Sequence, residues 1–156
     1  MTLAQSLGAT MLNHSDSIAN LAKALSIVQG KLTYAKKDSA NPFFKSKYAD
    51  LESVWDACRD LLADNNLAVA QFPGTYSDLD KSMSLTTLLT HSSGEWISQE
   101  MSVPVTKPDS QGCGSCLSYM RRYALAAVVG VVQSDDDGNA ASNKTINQPA
   151  VKAKEI

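Results

Sequence analysis

The sequence predicts an α+β fold: two N-terminal helices, a three-stranded antiparallel sheet and a long C-terminal helix. Three observations carry this. Apolar residues recur at helical spacing over 18–36, 51–62 and 113–131. Between 67 and 105 the period drops to two, as half-buried strands require. Turn residues at Pro73-Gly74, Ser92-Ser93-Gly94 and Pro104/Pro108 punctuate that stretch.

Residues 1–14 have weak periodicity and read as a flexible N-terminus. Ser15 or Asp16 can cap the first helix, in which Ile18, Leu21, Leu25, Val28, Leu32 and Ala35 keep one face to about Lys36. The run from Lys37 to Tyr48 follows as a loop turning at Asn41-Pro42. Phe43, Phe44 and Tyr48 alternate there with Lys45 and Lys47. Such interleaving suits base stacking with ammonium groups along a backbone, although Phe43 and Phe44 could instead plug the domain from below. Asp50 caps the second helix, with Leu51, Val54, Trp55, Cys58 and Leu62 inward and Asp56, Asp60 and Asp64 as a solvated outer stripe. Strands are expected over 67–72, 83–91 and 95–105, the last two as a hairpin. Ile97, Met101, Val103 and Val105 should share one face, opposite Trp96, Ser98, Glu100 and Ser102.

The long helix carries Arg121-Arg122-Tyr123. At ~100° per residue, Cys113, Cys116, Leu117, Met120, Ala124, Ala127, Val128 and Val131 fall on one side, the expected core face. Arg122 lies about 180° away, beside Ser115, Ser118 and Tyr119, with Arg121 at the rim. Arginine suits bidentate phosphate contacts and stacking on bases; ordinary surface ion pairing is the alternative. Residues 142–156 are polar and aperiodic and read as a disordered tail, leaving 15–141 as one domain.

A formal charge of −2 excludes a bulk polycation, so any nucleic-acid binding must rest on segregated charge. Lys31, Lys36, Lys37, Lys45 and Lys47 against Asp38 make such a cluster. The apolar run 124–132 is far shorter than the ~20 residues of a membrane span. Three cysteines and no secretory signal point to reduced thiols in a cytoplasm. Cys113-Gly-Ser-Cys116 resembles a redox pair, but no βαβ pattern precedes it and both sulfurs fall on the expected core face. Cys58, His14 and His91 are too scattered for zinc. Asp135, Asp136 and Asp137 could hold Mg²⁺ for a nuclease, although successive side chains point apart. Gly30-Lys31 is followed by leucine, so no ATP-binding P-loop is present and an ATP-driven motor is disfavoured.

Three blocks resemble the ERF (essential recombination function) single-strand annealing proteins of phages. The first is Gln111-x-x-Gly114-Ser115-x-x-Ser118-Tyr119-x-Arg121-Arg122-Tyr123-Ala124-Leu125 with Asp135-Asp136-Asp137-Gly138-Asn139-Ala140. The others are Asn41-Pro42-Phe43-x-Lys45-Ser46-x-Tyr48-Ala49-x-Leu51 and His91-x-Ser93-Gly94-Glu95-Trp96. Cys113 and Cys116 depart from the small residues usual there, and the short tail lacks the C-terminal module of longer relatives. The resemblance implies a β-β-β-α core as in RecT/Redβ-type annealing proteins. It also implies ATP-independent binding and annealing of single-stranded DNA by a ring or arc of subunits. On that reading Lys36, Lys37, Phe43, Lys45, Lys47, Tyr48, Tyr119, Arg121 and Arg122 contact the strand. No cofactor is expected, with Mg²⁺ left open, and the protein is not an enzyme. Its partners would be single-stranded DNA, further copies of itself, and a phage exonuclease or host single-strand-binding protein, in the cytoplasm of a bacterial host. A Mg²⁺-dependent nuclease and a protein-binding adaptor are the rival readings.

Overall fold

A computed structural model describes residues 12–33 and 50–132, with the backbone of 39–40 and 47–48. The chain runs β1 (Asn13–His14), α1 (Ala19–Lys31), β2 (Ser39–Ala40), β3 (Lys47–Tyr48), α2 (Leu51–Asp64), β4 (Leu67–Ser77), β5 (Ser82–His91), β6 (Trp96–Pro104) and α3 (Ser110–Val129). The fold is α+β, with the expected helices and three-stranded meander. The main sheet gains a fourth strand: its order is β1-β6-β5-β4, all antiparallel. β2 and β3 form a separate two-stranded ladder, Ser39 opposite Tyr48 and Ala40 opposite Lys47, within the stretch expected to be loop. Two-residue strands carry too little periodicity to show in a sequence.

Register follows from the hairpin. The turn after β5 closes through Gly94 N–H to the His91 carbonyl (2.9 Å), with Gly94 at φ +88°, a conformation natural to glycine. Leu89 then faces Ile97, Leu85 faces Met101 and Met83 faces Val103, which puts the expected alternate residues on one side. On β4, Leu67 and Val69 join that row. The strand does not end at Pro73-Gly74 as expected. It continues to Ser77 through a register shift between Pro73 and Tyr76. An edge strand tolerates the missing proline N–H. Gly74 lies so close to Ser84 that a Cβ there would overlap the Ser84 hydroxyl.

All three helices meet this row of the sheet. Leu21, Ala24 and Val28 of α1, Val54, Cys58 and Leu62 of α2, and Leu125, Ala126 and Val129 of α3 form one core with Leu67 and Leu89. Burial raises the Cys58 thiol pKa to about 11, so it behaves as a small apolar side chain. α2 matches its sequence pattern. Asp50 Oδ1 accepts from Ser53 N–H (2.9 Å) and Ser53 Oγ (2.8 Å), and the exposed Asp56 and Asp60 flank Arg59 at 3.6 and 3.4 Å. Leu89 is fully buried at the centre of the sheet. Leu89→Ala should cost ~2–5 kcal/mol, read as a lower urea midpoint at unchanged slope.

The start of α1 differs from expectation. Ser15 does not cap the helix but pairs with β6, its N–H donating to the Trp96 carbonyl (3.0 Å) and its Oγ accepting from Trp96 N–H (2.9 Å). Asp16 is exposed, and Ile18, at the N-cap position, has no capping side chain. The acceptor comes from the β5–β6 turn. Glu95, 8 % exposed, accepts from Leu21 N–H (2.8 Å), Ser17 Oγ (3.0 Å) and Asn20 Nδ2 (3.1 Å). The helix also stops earlier than Lys36, because Leu32 turns extended at ψ 136°.

Candidate nucleic-acid interface

α3 begins at a side-chain cap: Asp109 Oδ1 accepts from Gly112 N–H at 2.7 Å. The segment 105–109 folds back over this first turn so closely that a Cβ on Gly112 would overlap the Lys107 carbonyl. Glycine is therefore required for the approach of two backbones, not for flexibility. A shallow groove of about 390 Å³ lies between the end of β6 and this half of the helix, lined by Val103, Val105, Lys107, Ser115, Cys116 and Tyr119. From Ser110 to Val129 the helix has no carboxylate, so its two arginines leave it cationic.

One turn on, three side chains converge. Tyr119 and Tyr123 are four residues apart, and their ring centroids are 4.3 Å apart with planes tilted by 44°. The Arg122 guanidinium carbon lies 4.7 Å from the Tyr123 centroid and 5.9 Å from that of Tyr119. Tyr119 is 47 % and Tyr123 37 % exposed. A guanidinium against ring quadrupoles keeps its charge, and an exposed ring edge beside it can take a base.

The core face of α3 differs from the one read off the helical wheel. Met120 and Val131 are buried as expected, but Cys113, Cys116, Leu117, Ala124 and Val128 are only half-buried and Ala127 is exposed. Leu125, Ala126 and Val129 form the buried side instead. At ~100° per residue these three lie within about 60° of Arg122, so Arg122 does not point away from the core. It sits where the buried side ends, one turn before Leu125, and is half-buried itself. The reason is that α3 touches both the sheet and the other two helices, so no single stripe describes its burial.

Arg121 is half-buried too. Its carbonyl accepts a hydrogen bond from Gln71 Nε2 (3.0 Å), which also reaches Thr87 Oγ1 (3.3 Å). Gln71 thus ties the helix to β4 and β5 at the arginine pair. Gln71 and Lys107 were not singled out in sequence, and Tyr123 was named there within the Arg121-Arg122-Tyr123 triplet but not among the strand-contacting residues. Only Tyr123 had a visible signal, its four-residue spacing from Tyr119 around an arginine. Lys36, Lys37, Phe43 and Lys45, with Phe44 and Asp135–Asp137, lie outside the described residues. Lys47 and Tyr48 are placed only as the backbone of β3.

The Cys116 thiol is raised above its ordinary pKa, mainly by burial and further by the adjacent Cys113. That is the opposite of the depressed value a reactive helix-start thiolate needs. Among the described residues no three His, Cys, Asp or Glu side chains cluster to hold a metal ion. No described helix is long and apolar enough to cross a membrane.

An antiparallel sheet backed by three helices, with an arginine–tyrosine cluster on a helix free of acids, defines an α+β module whose visible chemistry is cationic and aromatic. A model of the ERF superfamily matches residues 21–155. The chain belongs to that superfamily, which implies a part in DNA recombination by strand annealing. No curated protein and no solved structure gives a significant match.

Proposed function

We propose that this protein binds single-stranded DNA and anneals complementary strands without ATP, as an oligomer and without itself being an enzyme. The observation that supports it most is the Tyr119–Arg122–Tyr123 cluster on a carboxylate-free helix in a chain of the ERF superfamily. Annealing requires a strand held by its backbone with base edges left readable, and guanidinium and ring contacts do both. Arg121, Arg122 and Tyr119 act with Lys36, Lys37, Phe43, Lys45, Lys47 and Tyr48 along one strand path, continued over neighbouring subunits. Each phosphate contact contributes a salt slope of about −0.7. A few per subunit bind weakly, and a row of subunits binds tightly by multivalency.

The test is fluorescence anisotropy of a labelled oligonucleotide across a salt series, followed by annealing of two complementary strands without ATP. Binding at low salt that weakens linearly on a log–log plot, with annealing and no cleavage in Mg²⁺, is the expected result. Arg122→Ala with Lys45→Ala should weaken binding and flatten the slope while thermal stability stays close to wild type. Cleavage in Mg²⁺ would favour a nuclease, and no binding at low salt an adaptor; either result ends the proposal.

A further inference from the structure

The face of α3 that carries the arginine–tyrosine cluster continues toward the start of the helix. At ~100° per residue Gly112, Ser115, Cys116, Tyr119, Arg122 and Tyr123 lie within an arc of about 120°. Beyond Tyr123 the same face is closed by the buried Ala126. Before it the face is open, and there lies the groove of about 390 Å³, lined by 103–107 on one side and by Gly112, Ser115, Cys116 and Tyr119 on the other. Tyr119 therefore belongs to both the groove and the cluster.

We propose that this groove holds a nucleotide of the bound strand, its base against Tyr119 and its phosphate at Lys107. The subsite rests on the single-strand-binding reading and adds Lys107 to it. Charge is the first support. The lining holds one cation, Lys107, and no carboxylate. Among the described residues Lys107 has no ion-pair partner. Asp109, two residues on, is taken up in capping α3 through the Gly112 N–H, and in the β4–β5 turn Asp78 pairs with Lys81 at 3.5 Å while Asp80 accepts from Ser77 Oγ at 3.2 Å. Chemistry is the second. Val103, Pro104, Val105 and Cys116 give an apolar surface for the flat face of a base, beside the Tyr119 ring, and Thr106 and Ser115 add two hydroxyls for its polar edge. Rigidity is the third. Val105 N–H donates to the Lys81 carbonyl (2.8 Å), and the Lys107 carbonyl is packed against Gly112. One wall is thus set before a strand arrives, which lowers the ordering cost of binding. Length agrees: Gly112 to Tyr123 spans ~16 Å, against ~3.4 Å per nucleotide of a B-form strand, so one strand can reach both the groove and the cluster.

The test compares wild type, Lys107→Ala and Lys107→Arg by anisotropy of a labelled oligothymidylate across a salt series, with a thermal melt of each to show that it is folded. Lys107→Ala should weaken binding and flatten the slope by about 0.7, the share of one phosphate contact, and Lys107→Arg should restore the slope. Separately, in a Cys113→Ser chain, alkylation of Cys116 should slow severalfold when the oligothymidylate is bound. In a Cys113→Ser, Cys116→Ser chain, the exposed α1 position tested by Ser26→Cys should react equally fast with and without it. No binding by the wild type at low salt ends the single-strand reading and the subsite together. Binding with an unchanged slope in Lys107→Ala, or with Cys116 alkylated as fast as in the free protein, overturns the subsite alone.

Discussion

Glu95→Ala is expected to lower the thermal midpoint by roughly 5–10 °C. The carboxylate accepts from the Leu21 N–H in the first turn of α1, from Ser17 and from Asn20, and no side chain of α1 replaces it as a cap. Removing it leaves a buried backbone donor unmet and frees the helix from the β5–β6 turn. Glu95→Gln keeps the shape but loses the charge and turns an N–H₂ toward donors, so its midpoint should fall between the two. The effect depends on pH. Leu21 N–H holds the Glu95 pKa below its ordinary value; burial opposes this, and Ser17 and Asn20 add to it. A depressed carboxylate contributes stability that is complete above the ordinary value of about 4.3 and is lost as pH falls through the lowered one. Thermal melts from pH 7 down to pH 3 should therefore show the wild type losing stability below about pH 4, with Glu95→Gln flatter there. A Glu95→Ala midpoint equal to wild type would show that the turn does not hold the helix.

The second large effect separates the two halves of the candidate interface. Tyr119→Ala should weaken oligonucleotide binding by roughly tenfold or more, since base stacking contributes ~1–3 kcal/mol per base. Its salt slope should stay that of the wild type, because no phosphate contact is lost. Arg122→Ala should instead reduce the slope by about 0.7, along with the affinity. Arg122→Lys keeps the charge but not the planar contact with Tyr123, so it should recover the slope without the full affinity. Tyr119 is 47 % exposed, so melting of Tyr119→Ala should remain near wild type. If both alanine variants bind as the parent does at every salt concentration, the cluster is structural and the strand runs elsewhere.

Several of these features were legible in sequence because local forces set them. Asp50 caps α2 three residues from its donor, and Val54, Cys58 and Leu62 repeat at the spacing of one helical face. Ser92-Ser93-Gly94 sets the hairpin, and the period of two then fixes which of 97–103 face the helices. The acid-free α3 with its arginines was equally readable. Residues acting across the fold were not. Glu95 looked like a strand residue in sequence, and its three donors lie more than 70 positions away. Gln71 similarly reaches Arg121 across 50 positions. β1 gains its partner only because β6 offers a free edge.

The sequence by itself determined the α+β class, the three helices and the β4–β6 meander between the second and third of them, the α2 cap and the four-residue spacing of Tyr119 and Tyr123. Those depend on interactions within a turn or two of the chain, which spacing encodes. Only the tertiary structure decided which side of α3 is covered, and so that Leu125, Ala126 and Val129 rather than Cys113, Cys116 and Ala127 fill the core. A helix touched by a sheet and by two other helices is buried wherever they meet it, and a wheel drawn for one partner has no means of locating a second.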